Sequence, residues 1–169
     1  MKGRWLILAA MAALTSLSLA SPLAAGREAG KMPITIGATG DAFLAGSGTA
    51  SAKFTLELGA ASDSGQLTFK YSYGLVRRNA AGQLFRPARC TETFKGKQGT
   101  LVIRSAGRQF PIAVVTAEDP GADAEVWTGT WSVLTGTGRY AGLKGGGGVV
   151  GHILISGYSY RYDGFVTRS

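Results

Sequence analysis

The segment from Thr128 to Gly151, TGTWSVLTGTGRYAGLKGGGGVVG, restricts the fold of this chain more than any other part of it. Its first half alternates large and small side chains with a period of two, its centre is rich in glycine, and its end is apolar. Such alternation is typical of a half-buried β-strand, and glycine supplies the positive φ angles that tight turns need. The segment therefore predicts a β-hairpin.

The same organisation recurs in weaker form along most of the chain, where 26 glycines separate short alternating runs. Leu67–Tyr73 is the clearest of these runs, and Ala106-Gly107 is interpreted as a turn. No amphipathic helical pattern follows the N-terminal region. Short strands with short connections predict an all-β fold, a single antiparallel up-and-down β-barrel of about eight strands with calycin-like architecture. Residues 33–169 form this domain.

The N-terminal region has the layout of a secretory signal peptide. Lys2 and Arg4 precede an uncharged apolar run, and Ser18-Leu19-Ala20 provides small residues at a cleavage site. The run is shorter than the roughly 20 residues that a spanning helix needs. We therefore expect residues 1–20 to be a signal peptide, residues 21–32 a flexible segment, and the mature protein to be secreted or periplasmic without a membrane span.

The formal net charge of +8 has a concentrated source. One window of the chain holds a single acidic residue, Glu92, among six basic ones: Arg77, Arg78, Arg86, Arg89, Lys95 and Lys97. Such a patch could bind anionic lipid, polysaccharide or nucleic acid. Alternatively, it consists of solvated turns and strand faces. Because no aromatic base-stacking motif accompanies the patch, we expect no nucleic-acid partner.

Several kinds of chemistry lack the residues they need. His152 is the only histidine, so a zinc site built on three histidines is excluded, and the sequence predicts neither a metal site nor a cofactor. Cys90 is the only cysteine, which excludes an intrachain disulfide. A dinucleotide fingerprint can be read at Gly136, Gly138 and Ala141, but the segment after it is another strand instead of the required helix.

The strand, the turn G-T-G-R-Y-A-G-L-K-G and the strand after it resemble the barrel shared by allene oxide cyclases and dirigent proteins. The resemblance implies a bacterial secreted homologue of that barrel, with an apolar cavity that works without metal or cofactor. It also raises a homo-oligomer, a dimer or a trimer, as an expectation. It assigns a structural role to the turn, in which Tyr140 folds back over the barrel end. The residues of this turn motif are Gly136, Gly138, Tyr140, Gly142 and Gly145. No catalytic residue is carried over.

Cys90 and Glu92 are the candidate catalytic residues, since residues two apart in a strand share a face. If that face is the lumen, a thiol and a carboxyl meet in a pocket of low dielectric, and burial raises the pKa of the carboxyl toward a value suited to acid–base chemistry. The favoured interpretation is that Glu92 faces water, opposite Arg89 or Lys95. Candidate ligand-binding residues are the aromatic side chains Tyr71, Tyr73, Trp127, Trp131 and Tyr160.

Three functions follow from this reading. The leading hypothesis is a secreted, cofactor-free barrel that binds a small apolar or aromatic molecule in its interior, without catalysis. The second is a cyclase or isomerase of the allene oxide cyclase or dirigent type. The third is a structural or interaction barrel that holds no ligand and acts through its surface.

Overall fold

The computed structural model describes residues 30–41, 48–114, 122–154 and 156–169. The predicted signal peptide, residues 1–20, and all but the end of the predicted flexible segment, residues 21–32, lie outside the described residues. Among the residues that are described, no helix is long and apolar enough to cross a bilayer.

The described residues form nine strands. These are β1 (Met32–Gly40), β2 (Gly48–Leu58), β3 (Ala61–Tyr73), β4 (Arg77–Arg78), β5 (Leu84–Gly96), β6 (Thr100–Val114), β7 (Ala122–Gly136), β8 (Leu143–Leu154) and β9 (Gly157–Arg168). A single turn of 3₁₀ helix, Gly138–Tyr140, lies between β7 and β8, and no α-helix occurs in the described part of the chain. The all-β prediction is confirmed.

Eight of these strands close into one antiparallel barrel. Their order around the wall is β1, β2, β3, β5, β6, β7, β8 and β9, and β1 pairs with β9 to complete the ring. The short strand β4 lies outside this ring and pairs only with the start of β5. Closure leaves no long free edge, so the predicted up-and-down barrel of eight strands is confirmed.

The large side chains of the alternating runs point into the lumen of the barrel. Ile36 of β1 lies between Leu56 of β2 and Tyr162 of β9 in the register, and all three are buried. Phe54 and Phe94 meet edge to face with their ring centroids 5.3 Å apart. Because every strand has a period of two, one residue of each pair enters this core and the next one meets solvent.

The predicted turn at Ala106-Gly107 is wrong, since β6 continues through both residues to Val114. Gly107 lies opposite Gly129 of β7, and a side chain at Gly107 would overlap the carbonyl oxygen of Thr128. This glycine allows two backbones to approach closely and does not reverse the chain.

The turn between β7 and β8 closes one end of the barrel. Gly138 and Gly142 have φ angles of +57° and +72°, a region that favours glycine. A side chain at Gly136 would overlap the backbone of Tyr140, and Gly145 has a φ of +143°. Tyr140, the last residue of the 3₁₀ turn, is buried.

Asp63, at the start of β3, holds Tyr140 in place. The Tyr140 hydroxyl donates to Asp63 Oδ2 at 2.7 Å, and the backbone N–H groups of Lys97 and Gln98 donate to the same carboxylate at 3.0 and 3.1 Å. Burial acts to raise the pKa of Asp63, but these hydrogen bonds prevail and hold the pKa below its usual value. This end of the barrel is therefore sealed by a satisfied polar cluster.

Candidate functional site

A cavity occupies the opposite end of the barrel, where β3 ends at Tyr73. Its volume is about 30 Å³, which is room for about two water molecules. The apolar part of its lining is mostly aromatic and comes from alternate residues of β3, β7 and β9: Phe69, Tyr71, Tyr73, Trp127, Tyr160 and Tyr162. The polar part comes from β5 and β6, through Arg89, Cys90, Glu92, Ser105 and Gln109.

The aromatic rings support one another across the lumen. Phe69 of β3 meets Tyr158 and Tyr160 of β9 with centroid distances of 5.6 and 6.1 Å. Tyr71 and Tyr73 lie 5.4 Å apart along β3. Such edge and tilted contacts suit the charge distribution of aromatic rings. The wall is thus a buried aromatic cluster that becomes more exposed toward Tyr71 and Tyr73.

Glu92 lies in the lumen, and the favoured expectation that it faces water is wrong. The residue is only 2% exposed, because it shares the inward phase of β5 with Ala88 and Phe94. Ser105 Oγ donates to Glu92 Oε1 at 2.5 Å, and the Tyr162 hydroxyl makes a longer contact with the same oxygen at 3.5 Å. Glu92 Oε2 is buried and finds no hydrogen-bond partner among the described groups.

Burial changes the protonation of this carboxyl. It raises the pKa of Glu92 to about 7, even though hydrogen bonds from Ser105, Cys90 and Tyr162 act in the opposite direction. Near neutral pH the side chain is therefore present in both its acid and its carboxylate forms. In the acid form it can donate a hydrogen bond as well as accept one.

Cys90 is half-buried on the same inward face as Glu92. Burial, reinforced by the neighbouring carboxyl, raises the pKa of the thiol far above its usual value. The thiolate form is disfavoured, so Cys90 is a poor nucleophile in this setting. Cys90 forms part of the cavity wall, because its side chain faces inward.

Four connected side chains lie where the cavity meets the end of the barrel, which we call the mouth of the cavity. The guanidinium of Arg86 stacks over the ring of Tyr73, 3.9 Å from its centroid, and lies 3.5 Å from Glu125 Oε1. The buried amide of Gln109 donates to Glu125 Oε2. The sequence pattern does not reveal this group, because the turn expected at Ala106-Gly107 interrupts the alternation that places Gln109 inside.

The five predicted ligand-binding residues do not all reach the cavity. Tyr71, Tyr73, Trp127 and Tyr160 line it. Trp131 is buried on the same face of β7, but it lies deeper in the core and outside the cavity lining. The predicted core face of β7 is confirmed, whereas the placement of Trp131 at a binding site is not.

In the part of the chain that the structure describes, no cluster of histidine, cysteine and carboxylate side chains could hold a metal ion. His152, the lone histidine, points outward from β8 and is exposed. The chain matches none of the known protein families, curated proteins or solved structures with which it was compared. The function is therefore inferred from the geometry of the cavity.

Proposed function

We propose that the barrel binds a small aromatic or apolar molecule that carries one hydrogen-bonding group. The observation that carries this proposal is Glu92 Oε2, a buried oxygen without a hydrogen-bond partner among the described groups, on a residue that lines a mostly aromatic cavity. A buried polar atom without a partner costs free energy, and a guest that supplies a hydrogen bond recovers it. Aromatic walls with few polar groups are typical of small-molecule sites.

A guest needs more room than the cavity provides in this conformation. The volume of about 30 Å³ is well below the roughly 150 Å³ of a cavity that admits benzene. The side chains that would move are those at the mouth, because Tyr71, Tyr73 and Arg86 are only partly buried. Tyr71 and Tyr73 make tilted ring contacts, and Arg86 makes the ring stack on Tyr73 and a partly exposed ion pair. Such contacts are worth about 1 kcal/mol each, so we expect opening to be inexpensive.

Two tryptophans make the proposal testable. Trp5 belongs to the predicted signal peptide, which leaves Trp127 at the cavity and Trp131 outside it as the tryptophans of the mature protein. The probe is 4-bromophenol, whose heavy atom quenches fluorescence on contact. We expect saturable quenching in the wild type and in Trp131→Phe, and little quenching in Trp127→Phe.

The hydrogen-bonding group is tested with bromobenzene, which has the same ring and heavy atom but no hydroxyl. We expect bromobenzene to bind about tenfold more weakly, since it leaves Glu92 Oε2 without a partner. Equal quenching of Trp127 and Trp131, or none at either position, would show a filled barrel that takes no guest.

Proton transfer is a second candidate function, favoured by the pKa of Glu92 near 7. A carboxyl with that pKa can act as a general acid or base at neutral pH, as a cofactor-free cyclase or isomerase requires. Turnover of an epoxide or enol substrate that disappears in Glu92→Gln, with 4-bromophenol binding retained, would establish catalysis. Binding without turnover would leave the barrel as a carrier.

The relation to the allene oxide cyclase and dirigent barrel stays a proposal. Its support is the turn motif at Gly136–Gly145 together with a closed eight-stranded barrel. Export to the periplasm or the medium, and assembly into a dimer or trimer, are proposals of the same kind. Native mass spectrometry of the protein purified from its own host tests them together, because processed mass and subunit number appear in one spectrum.

A further inference from the structure

The chain between β3 and β4 presents apolar side chains to solvent. Leu75 is 85% exposed and Val76 is 63% exposed, and they are the two most exposed large hydrophobic residues among those described. Leu84, which lies opposite Arg78 in the pairing of β4 with β5, is 43% exposed. Two adjacent aliphatic side chains at this exposure contribute nothing to the core, so they point to a role at the surface.

Leu75 and Val76 form an apolar tip, and hydrogen bonds on both sides of it fix the backbone. The backbone N–H of Gly74 donates to the carbonyl of Pro87 at 2.8 Å, which anchors one side of the tip. On the other side, Asn79 Oδ1 accepts from the backbone N–H groups of Ala81 and Gln83, both at 3.0 Å. The exposure of Leu75 and Val76 is thus a property of the fold.

Exposed basic side chains follow the tip in the sequence and line the outer face of the strands that lead to it. Arg77 and Arg78 follow it directly in β4, and Lys70, Arg89 and Arg104 line one groove on the outer face of β3, β5 and β6. None of these five forms an ion pair with an acidic side chain that the structure describes. Glu118 and Asp119, in the connection after β6, lie outside the described residues.

We propose that this end of the barrel docks on an anionic lipid surface, with Leu75 and Val76 inserted among the lipids and the basic side chains against the headgroups. Aliphatic residues near lysine and arginine suit interfacial membrane binding, because apolar insertion and attraction to anionic headgroups add to each other. A nucleic acid would exploit exposed aromatic rings for base stacking, and the tip has none. The cavity mouth adjoins the tip, since Tyr73 immediately precedes Gly74, but docking does not depend on the proposed ligand.

Vesicle sedimentation tests the proposal with the purified mature protein. The two lipid surfaces are phosphatidylcholine alone and phosphatidylcholine mixed with phosphatidylglycerol. We expect binding to the mixed vesicles only, and weaker binding as salt rises. Leu75→Ser combined with Val76→Ser should lower the affinity about tenfold or more, because the lost aliphatic burial is the apolar part of the interaction.

The basic contribution is tested by Arg77→Gln combined with Arg89→Gln, which spares Arg78 because its guanidinium donates to the carbonyl of Gly82. Two charges removed from a docked surface should weaken binding about thirtyfold. The matched control is Lys95→Gln with Lys97→Gln, which removes two charges at the sealed end of the barrel. The control should bind as the wild type does.

Phe165→Ser is the apolar control, since Phe165 is 59% exposed on β9 near the sealed end. The proposal is overturned if the two charge variants lose affinity equally, if neutral vesicles bind equally well, or if single-stranded DNA is bound with the same dependence on Leu75 and Val76. It is also overturned if the Leu75 and Val76 substitutions split an oligomer, because the tip is then a subunit contact. Light scattering of each variant distinguishes this last result.

Discussion

The pKa of Glu92 makes a quantitative prediction about stability. Its carboxyl is buried in the lumen, and burial raises its pKa from the usual 4.5 to about 7. The folded protein therefore holds the Glu92 proton more tightly than the unfolded chain does. The stability contributed by the protonated group is fully present below pH 4.5 and is lost as the pH rises through about 7.

The size of the effect follows from the two pKa values. A rise from 4.5 to about 7 corresponds to about 3 kcal/mol in the free energy of unfolding. Glu92→Gln removes the titration while it keeps an oxygen that can accept from Ser105. The variant should therefore lack the decline of about 3 kcal/mol across this window, whatever constant cost the amide adds. Asp63 acts elsewhere, since its lowered pKa removes stability only in the acid range.

Urea unfolding followed by tryptophan fluorescence at a series of pH values measures this difference. The matched control is Glu57→Gln, which changes an exposed carboxylate on the outer face of β2. The control should keep the wild-type pH dependence, and Glu92→Gln should flatten it. If wild type and Glu92→Gln lose stability in parallel between pH 4.5 and 7, the placement of an ionisable Glu92 in the lumen is refuted.

Two further predictions concern the wall and the sealed end, and urea unfolding measures both. Gly147→Ala should destabilise the barrel by about 1–3 kcal/mol, because the new side chain would overlap the backbone of Asp163. Gly148→Ala places its side chain in open space, so it should be neutral or stabilising by about 0.4–1 kcal/mol. Equal effects of the two substitutions would contradict the register of β8 and β9. Tyr140→Phe removes the hydrogen bond to the Asp63 carboxylate and should cost about 1.5–3 kcal/mol. A change below about 0.5 kcal/mol would contradict the sealing role of Tyr140.

The alternating runs carried reliable information about strands and about their faces. Leu67–Tyr73 is part of β3, and the inward face predicted for Trp127 and Trp131 is confirmed by their exposures of 6% and 4%. These predictions succeeded because a strand has a fixed period, so the large apolar residues of a run identify the buried side. The catalytic and ligand-binding roles assigned to the candidate residues stay predictions.

The period-two pattern predicts the wrong face where a polar residue interrupts it. The favoured interpretation of the sequence places Glu92 in water, opposite Arg89 or Lys95. In the barrel its phase is set by Phe94 and Ala88, and the Ser105 hydroxyl from β6 supplies the hydrogen bond that a single strand cannot offer. Gly107 gives a false turn signal because the close approach of the Thr128 backbone, which comes from another strand, is not visible in the sequence.

The order of residues alone thus determined the all-β class, the turn glycines and most of the inward-facing side chains, since these depend on local geometry that repeats every two residues. Only the closed barrel decided which polar groups meet: Tyr140 with Asp63, Ser105 with Glu92, and Arg86 with Glu125. Each pair joins different strands or turns, and its energy depends on burial and distance. The burial and the distances of these pairs are set only when β1 pairs with β9 and the barrel closes.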